Sequence, residues 1–286
     1  DNVGGLIGKN ITQQVTENEE TVFKGSIIAA YNTGAVTGKN NVGGIVGSNA
    51  GSVSEVFNTV LVQDATRDED GNVTINGYSD GAITGATNVG GLIGYNTGSL
   101  SSAYNTSAVS GTTSVGNAVG KNESTITDVY ATNESGSLVG SVETGSSIAT
   151  SYSFSDSDKP VDENDKSKSG ITVLSGDDQK ATEKYSFTNS KDTVWKFYDK
   201  LNTPLLKVFL TKATYTDTAN KVYNGTLQSW NVSDFTITAS DNLKAHKDAA
   251  SIDDLGLIFA NSGITYTNAG SYVDEEVLWS TQIRGG

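Results

Sequence analysis

The acids of residues 66–77, TRDEDGNVTING, have the types and spacing that most resemble a chemical site. Asp68 and Asp70 precede Gly71 as the first acids of a calcium loop precede its turn glycine. The segment has Thr at the first position of such a loop and Gly at the twelfth, where calcium requires a bidentate Glu. An Asp-Gly pair between Thr- and Val-containing stretches is instead typical of a β-hairpin turn. We predict that turn and keep Asp68 and Asp70 as candidate Ca²⁺ ligands, with no other metal site or cofactor.

The chain lacks the residues that Cys- and His-dependent catalysis and metal binding require. The 286-residue chain has no Cys and a single His, His246, which lies in the polar stretch LKAHKDAAS and is expected to be exposed. Without Cys the chain has no disulfide, thiolate metal site or Cys nucleophile. A lone His excludes a His-rich metal site and argues against a Ser-His-Asp triad. No catalytic residue is predicted.

The charge balance restricts the partners. The chain has 33 acids and 19 basic residues, a net charge of −14. Because phosphate backbones and anionic lipids repel such a chain, we expect no binding to nucleic acid. No run of about 18 apolar residues exists, so no membrane insertion is expected. The chain has no Met and opens at Asp1 inside a motif, so we expect a longer polypeptide whose repeats continue at both ends.

The first half of the chain is organised by a repeated motif. NVGGLIGKN at residues 2–10 returns as NVGGIVGSN at 41–49 and as NVGGLIGYN at 88–96, and weaker copies begin at Ser114 and Ser135. An aromatic residue and then a segment such as TGAVTG follow the motif. A sequence that repeats at intervals of 20–50 residues indicates a solenoid or a related array.

Two insertions account for the unequal spacing of the copies. Gly8, Gly47, Gly94 and Gly120 close successive copies at steps of 39, 47 and 26 residues. With insertions looped out at 9–25 and 58–77, the basic unit is about 20–26 residues long and has three short segments. Each segment has four to six residues, alternates apolar with small residues and is bounded by Gly, Asn or Asp, as strands between turns are.

We therefore predict an all-β fold, a right-handed parallel β-helix with three short strands per turn, followed by a small separate β-rich domain. In such a coil, equivalent residues of successive turns lie one above another, about 4.8 Å apart. Glycines such as Gly44 permit corners or close backbone packing, and Asn49 and its equivalents are expected to stack at a turn. The predicted interior ladders consist of Leu6, Ile45, Leu92 and Leu138, and of the aromatic residues Tyr31, Tyr104, Tyr130 and Tyr152.

The repeated segments resemble a known family. VGGLIG, VGGIVG and VGGLIGYNTGSLSSAYNTSAVSG are similar to the GLUG-motif repeats of large secreted bacterial adhesins of the filamentous-haemagglutinin type. VWKFYDKLNTPLLKVFL at 194–210 resembles the stretch that closes such arrays, and KVYNG at 221–225 and NAGSY at 268–272 are similar to the MBG or YDG modules that follow them. Asn224 stands where those modules usually have Asp. The resemblance implies export by a two-partner or comparable route and display at the bacterial cell surface.

The chain then divides into four parts. Residues 1–154 form the repeats, and residues 155–170, rich in Asp and Lys, form an acidic exposed loop. Residues 171–210 recover large apolar side chains and are expected to cap the last turn. Residues 211–286 alternate again and form the small β module. The pairs Thr236/Thr238 and Thr265/Thr267 do not recur at the repeat period, so no ordered hydroxyl surface is expected from them.

Two functions of different class remain open. In the first, the chain is a non-catalytic stalk or binding segment of an extracellular adhesin that contacts a host or bacterial surface protein or glycan during cell adhesion and virulence. In the second, it is a polysaccharide-cleaving lyase or hydrolase, since parallel β-helices also host such enzymes. These enzymes need positioned carboxylates, and the lyases also need basic residues for acidic sugars. The chain has only Arg67 and Arg284, and its acids crowd into the insertions and the loop, which favours the first function.

Overall fold

The computed structural model describes residues 1–15, 21–60, 62–67, 73–78, 80–133, 136–155, 168–187, 194–197, 200 and 203–210, and six short strands beyond residue 213. Its regular elements are β-strands and three short 3-10 helices, Gly176–Lys180, Thr182–Lys184 and Lys207–Phe209. The all-β class is confirmed. The chain forms two compact units, one of residues 1–208 with 283–286 and one of residues 209–282.

Four stacks of parallel strands, called the coil below, build the first unit, and each stack collects the same segment of successive repeats. The first stack contains Val3–Gly4, Asn40–Gly43, Thr87–Gly90 and Thr113–Gly116. The second contains Ile7–Asn10, Val46–Asn49, Ile93–Asn96, Val119–Asn122 and Val139–Val142. The third contains Ser26–Asn32, Ser52–Asn58, Ser99–Asn105, Thr125–Ala131, Ser151–Ser155 and Ile171–Ser175, with Ser147–Ala149 paired to Thr125–Ala131. The fourth contains Val36–Thr37, Ile83–Thr84 and Val109–Ser110.

Parallel stacks that collect successive repeats are the arrangement predicted for a parallel β-helix, with one refinement in the number of strands. A complete turn has four strands instead of three, because the double glycine splits the motif into two strands of different stacks. The two strands lie so close that a Cβ on Gly43 would sit 2.1 Å from the carbonyl oxygen of Val46, and one on Gly44 would sit 2.1 Å from that of Gly91. Both positions therefore require glycine for close backbone approach. The right-handed sense of the coil stays a prediction.

Aliphatic side chains from the second and third stacks, and from the residue that precedes each strand of the second stack, fill the centre of the coil. The backbone amide of Leu6 donates to the carbonyl of Ile45, and the amide of Ile45 donates in turn to the carbonyl of Leu92. The same succession continues through Ala118 to Leu138. All these side chains are buried except that of Leu6, which is nearly half exposed. Burial of such side chains contributes about 1.5–3 kcal/mol each.

A left-handed residue bends every long strand of the third stack at the same place. Ala29, Glu55, Ser102 and Asp128 have φ between 48° and 58°, and Thr150 continues the series at 44°. One left-handed residue costs an L-amino acid about 1–2 kcal/mol. It also interrupts the alternation of side chains between the two faces of the strand. The residues that face the core before it and after it are therefore not separated by an even number of positions.

The two insertions leave the coil at different corners and form antiparallel hairpins. The first pairs Thr12–Val15 with Thr21–Lys24, and the amide of Gly25 donates to the carbonyl of Ile11 where the chain returns, at 2.9 Å. The second pairs Val62–Arg67 with Val73–Tyr78. The strand that precedes the first insertion continues to Asn10, so that insertion begins later than residue 9, where the sequence placed it.

The end of the coil is followed by a segment that lies along its side. This cover segment, the described part of residues 176–208, contains the 3-10 helices Gly176–Lys180 and Thr182–Lys184 and an antiparallel pair of short strands, Trp195–Lys196 and Leu205–Leu206. It was predicted as a cap on the last turn, and its contacts extend back to Tyr104 of the third turn. In the second unit, Thr214–Asp217 pairs with Phe235–Thr238, Gln228–Ser229 with Thr265–Tyr266, and Leu257–Phe259 with Val277–Trp279, all antiparallel.

Candidate interaction surface

Three ladders of asparagine side chains run along the coil, and the sequence indicated only the first. In it, Asn10, Asn49, Asn96 and Asn122 are joined by Nδ2-to-Oδ1 hydrogen bonds of 2.8 Å, all buried. In the second, Asn32, Asn58 and Asn105 are joined in the same way at the other end of the long strands. In the third, Asn88 donates to Asn41 and Asn41 donates to Asn2.

The left-handed asparagines belong to the third ladder and not to the first. Asn41 and Asn88 have φ of 46° and 52°, and Ser114 takes their place in the fourth turn. The residues of the first ladder have ordinary strand conformations and are held by their hydrogen bonds. A primary amide both donates and accepts, so a column of them satisfies itself at the spacing of parallel strands.

The aromatic ladder lies outside the apolar core instead of within it. The rings of Tyr31, Phe57, Tyr104 and Tyr130 stack in order, with centroids 5.0–5.2 Å apart. Their chain neighbours Val56, Ala103 and Val129 face the core, and adjacent residues of a strand point to opposite faces. The cover segment buries this ladder from Tyr104 onward, where Trp195 contacts both Tyr104 and Tyr130.

Tyr152 does not extend the stack of rings, contrary to the prediction. Its backbone pairs with that of Tyr130, yet the ring stacked on Tyr130 is that of Phe154, two residues later on the same face of the strand. The ring of Tyr152 turns toward Tyr185 and Phe187 of the cover segment. The hydroxyl of Tyr130 donates to the carbonyl of Pro204 at 2.6 Å, which ties the cover segment to the ladder. Burial raises the pKa of both Tyr104 and Tyr130 well above the ordinary value.

A charged cluster lies on the outward side of the second stack. The ammonium of Lys121 lies 2.9 Å from Glu123 and 3.1 Å from Glu143, and 5.7 Å from the ring centroid of Tyr95. Hydrogen bonds from the Tyr95 hydroxyl and from Lys121 lower the pKa of Glu123. The same bond to Glu123 raises the pKa of Tyr95, and both glutamates raise that of Lys121. The pairs are partly exposed, so they contribute modestly to stability.

An ordered array of hydroxyl groups covers the outward side of the third stack. Three of the four long strands carry a hydroxyl on either side of a core aliphatic residue, as Ser52 and Ser54 do around Val53. The array, called the hydroxyl face, consists of Ser52 and Ser54, Ser99 and Ser101, and Thr125 and Thr127, paired turn by turn, with Ser26 and Ser147 at its ends. Its hydroxyls repeat about every 4.8 Å along the coil and about 6.6 Å along a strand. The Ser-x-Ser spacing was the signal for it, hidden because small residues abound throughout the chain.

The predicted calcium ligands cannot be placed. Asp68, Asp70 and His246 lie outside the described residues, as do most of the acidic loop and the arginine at 284. The two strands that flank Asp68 and Asp70 pair as a hairpin, in which Arg67 faces Val73. Within the described ranges, three or more potential metal ligands nowhere come together. Each helix in those ranges is too short and too polar to cross a bilayer.

Comparisons of the chain with models of protein families, with curated proteins and with solved structures find no match.

Proposed function

We propose that the chain is a non-catalytic stalk and binding segment of a bacterial adhesin that is exported to the cell surface or secreted. The single observation that carries the proposal is the unbroken register of the coil, in which equivalent residues of successive repeats hydrogen-bond across all four stacks. A coil tied at every turn keeps its length and direction, as a spacer between a cell and its target requires. The similarity of its repeats to the GLUG motif is the second support.

The hydroxyl face is the contact surface that we propose for a glycan or a surface protein. Its serines and threonines donate and accept hydrogen bonds at regular steps, which suits a partner with repeated hydroxyl or carbonyl groups. The two hairpins project from other corners of the coil and supply further surface that varies independently of the register. Attachment to host or other cells follows from many such weak contacts acting together.

The enzymatic alternative needs two carboxylates that face a substrate. Some of the described acids have partners within the protein: Glu123 and Glu143 are bonded to Lys121, Asp178 is bonded to Lys184, and buried Asp128 accepts a hydrogen bond from Thr150. For these four acids the partners support a binding role over a cleaving one.

One experiment separates the two functions. The chain is incubated with a panel of bacterial and host polysaccharides and with glycoprotein-coated surfaces, and binding and release of reducing or unsaturated ends are measured on the same samples. We expect binding without cleavage, and a loss of about tenfold in affinity in Ser54→Lys/Ser101→Lys. Ser48→Lys, on the outward side of the second stack, is the matched control and leaves binding unchanged. Turnover of any polysaccharide would reject the proposal, as would absence of binding to every surface tested.

A further inference from the structure

Glu55 carries an unpaired carboxylate on the third stack. The residue is partly buried within the strand Ser52–Asn58, and its carboxylate forms no ion pair or hydrogen bond in the described part of the chain. The strands of the third stack contain no Lys or Arg that could neutralise it. Because partial burial of a charge is unfavourable unless the charge is paired, such a carboxylate indicates a place for a hydrogen-bonding partner from outside.

The side chain of Glu55 faces outward, next to the hydroxyl face. Ser54 and Glu55 lie between two valines of the core, so their side chains point away from it. The register pairs Ser54 with Ser101 of the next turn, which places Ser102 beside Glu55, about 4.8 Å away along the coil. Glu55 and Ser102 share the left-handed conformation, with φ of 51° and 48°.

The hydroxyl of Ser102 is a second group without a partner. Ser102 is only 3% exposed, and its hydroxyl bonds to no group among the residues that the structure describes. Stacked hydroxyls at other places in the coil satisfy each other, as those of Thr84 and Ser110 do at 3.2 Å. A nearly buried polar group that lacks a partner costs free energy, which a ligand with matching hydrogen-bonding groups would offset.

Further free hydroxyls lie next to this pair. The side chains of Ser54 and Ser101 are partly exposed and form no hydrogen bond within the described ranges. On the other side, the cover segment begins over the aromatic ladder at Tyr104, two residues beyond Ser102. Ser54, Glu55, Ser101 and Ser102, called the acid–hydroxyl site below, therefore lie where the open hydroxyl face meets the covered part of the ladder.

The acid–hydroxyl site has the groups that bind an uncharged sugar. The two oxygens of a carboxylate can each accept a hydrogen bond from one of two adjacent hydroxyls on a sugar ring. Such charge-assisted bonds are about twice as strong as bonds between neutral groups. The serine hydroxyls both donate and accept, so they can bond to the remaining oxygens of the same ring.

Charge disfavours acidic partners at this place. The acids of the third stack are Glu55 and the buried Asp128, no base lies on its strands, and the whole chain has a net charge of −14. A uronic acid, a sialic acid or a sulfated sugar would therefore be repelled, whereas a neutral sugar would not. A metal ion fits less well, since three or more potential ligands nowhere come together in the described part of the chain.

We propose that the acid–hydroxyl site binds one sugar residue of a neutral polysaccharide, with the Glu55 carboxylate accepting hydrogen bonds from two vicinal hydroxyls of the sugar. The inference rests on the proposed function, because it selects neutral glycans among the partners suggested for the hydroxyl face. Ser102 contacts the same sugar, and the hydroxyls of neighbouring turns contact the sugars that precede and follow it.

Calorimetric titration of the 286-residue chain with matched polysaccharides tests the proposal. The probes are dextran, mannan and galactomannan, each compared with its carboxymethylated form and with a form whose vicinal diols are cleaved by periodate and then reduced. We expect at least one of the neutral polymers to bind. Affinity for each of its two derivatives is lower by about tenfold or more, because one adds negative charge and the other lacks the diol.

Two substitutions assign the binding to the site. Glu55→Gln keeps the shape of the side chain and lowers affinity for the neutral polymer by about tenfold, and Ser102→Ala lowers it by about fivefold. The matched controls are Glu143→Gln on the second stack and Ser110→Ala on the fourth, and both leave affinity unchanged. Circular dichroism verifies that each variant keeps its β content.

The possible failures can be told apart. Binding of a neutral polymer that Glu55→Gln leaves unchanged, equal affinity for the carboxymethylated form, or binding of Ca²⁺ alone that Glu55→Gln abolishes would each overturn the inference. Binding to acidic glycans or glycoprotein-coated surfaces, with the neutral polymers unbound, would overturn it as well but leave the proposed function standing. Absence of binding to every probe and every surface would reject both.

Discussion

The side-chain amide of Asn49 donates a 2.8 Å hydrogen bond to the Oδ1 of Asn96, 47 residues later in the chain. Both residues are fully buried, and Asn96 donates onward to Asn122. The bond exists because the insertion after Asn58 is looped out, which brings the two asparagines into adjacent turns. The ladder therefore reports directly whether the turns are in register.

We expect Asn96→Ala to destabilise the protein by about 2 kcal/mol, because it leaves a buried amide and a buried carbonyl short of a partner. Urea unfolding, followed by circular dichroism, measures the loss. Asn2→Ala is the control, since Asn2 is exposed and ends its ladder, and we expect a change within about 0.5 kcal/mol. Equal effects of the two substitutions would contradict a buried ladder.

The left-handed residues of the third stack allow a matched pair of glycine substitutions. Ala29 has φ of 54°, so Ala29→Gly relieves strain and we expect it to stabilise the protein by about 0.5–1 kcal/mol. Ala30, its neighbour, has no such φ, and Ala30→Gly should destabilise by about the same amount. Thermal unfolding measures the stability of the two variants. A change of stability with the same sign in both would contradict the left-handed conformation of Ala29.

Close approach of the first and second stacks makes Gly94 intolerant of a side chain. A Cβ on Gly94 would lie 2.5 Å from backbone atoms of Asn41 and Val42, which cannot move without breaking the ladder. We expect Gly94→Ala to cost about 3 kcal/mol or to prevent folding. Gly34→Ala is the control, because the nearest atom to its Cβ is 3.8 Å away. Urea midpoints that agree for the two variants would show that the stacks are farther apart.

The packing of the cover segment against the coil should depend on the side chain of Trp195. Its ring is buried against Tyr104, Tyr130 and Phe187, so we expect Trp195→Ala to destabilise the first unit by about 3–5 kcal/mol. Limited proteolysis should then cut the cover segment first. Tyr31→Ala, at the half-exposed start of the same aromatic ladder, should cost far less. If the Trp195 variant resisted proteolysis as well as the unmodified protein does, the cover segment would not be held to the coil by this ring.

The cluster around Lys121 predicts a small dependence of stability on acid pH. The pKa of Glu123 is lowered, so its contribution is present above the pKa of an unfolded Glu and is lost as the pH falls through the lower folded value. Lys121→Gln should raise the pKa of Glu123, as measured by NMR titration. Lys184→Gln, whose Lys pairs with Asp178 in the cover segment, should leave it unchanged. A pKa of Glu123 that is insensitive to Lys121 would contradict the cluster.

The stacked β architecture followed from residues that repeat in type. Ile45 and Leu92 occupy one motif position, so their superposition could be predicted from spacing alone. The bend in the long strands had no such signal, because Ala29, Glu55, Ser102 and Asp128 share only their backbone conformation. Since that bend sets which side chains face the core, the outward position of the aromatic ladder could not be inferred either.

The position of the cover segment required three-dimensional contacts. Residues 176–208 do not repeat, and large apolar side chains at the end of an array predict a cap without saying which face they cover. The hydroxyl bond from Tyr130 to Pro204 joins residues 74 positions apart. No local sequence pattern encodes a contact of that kind. The orientation of the Tyr152 ring toward the cover segment could not be predicted for the same reason.

The amide of Gly25 donates to the carbonyl of Ile11, and the side chain of Asn10 donates to the carbonyl of Gly25, at the corner from which the first hairpin leaves. The length of an insertion at that corner does not change the spacing between successive turns of the coil. Foreign peptides of quite different lengths could therefore be grafted there, and the scaffold would display them while the length of the coil stays constant.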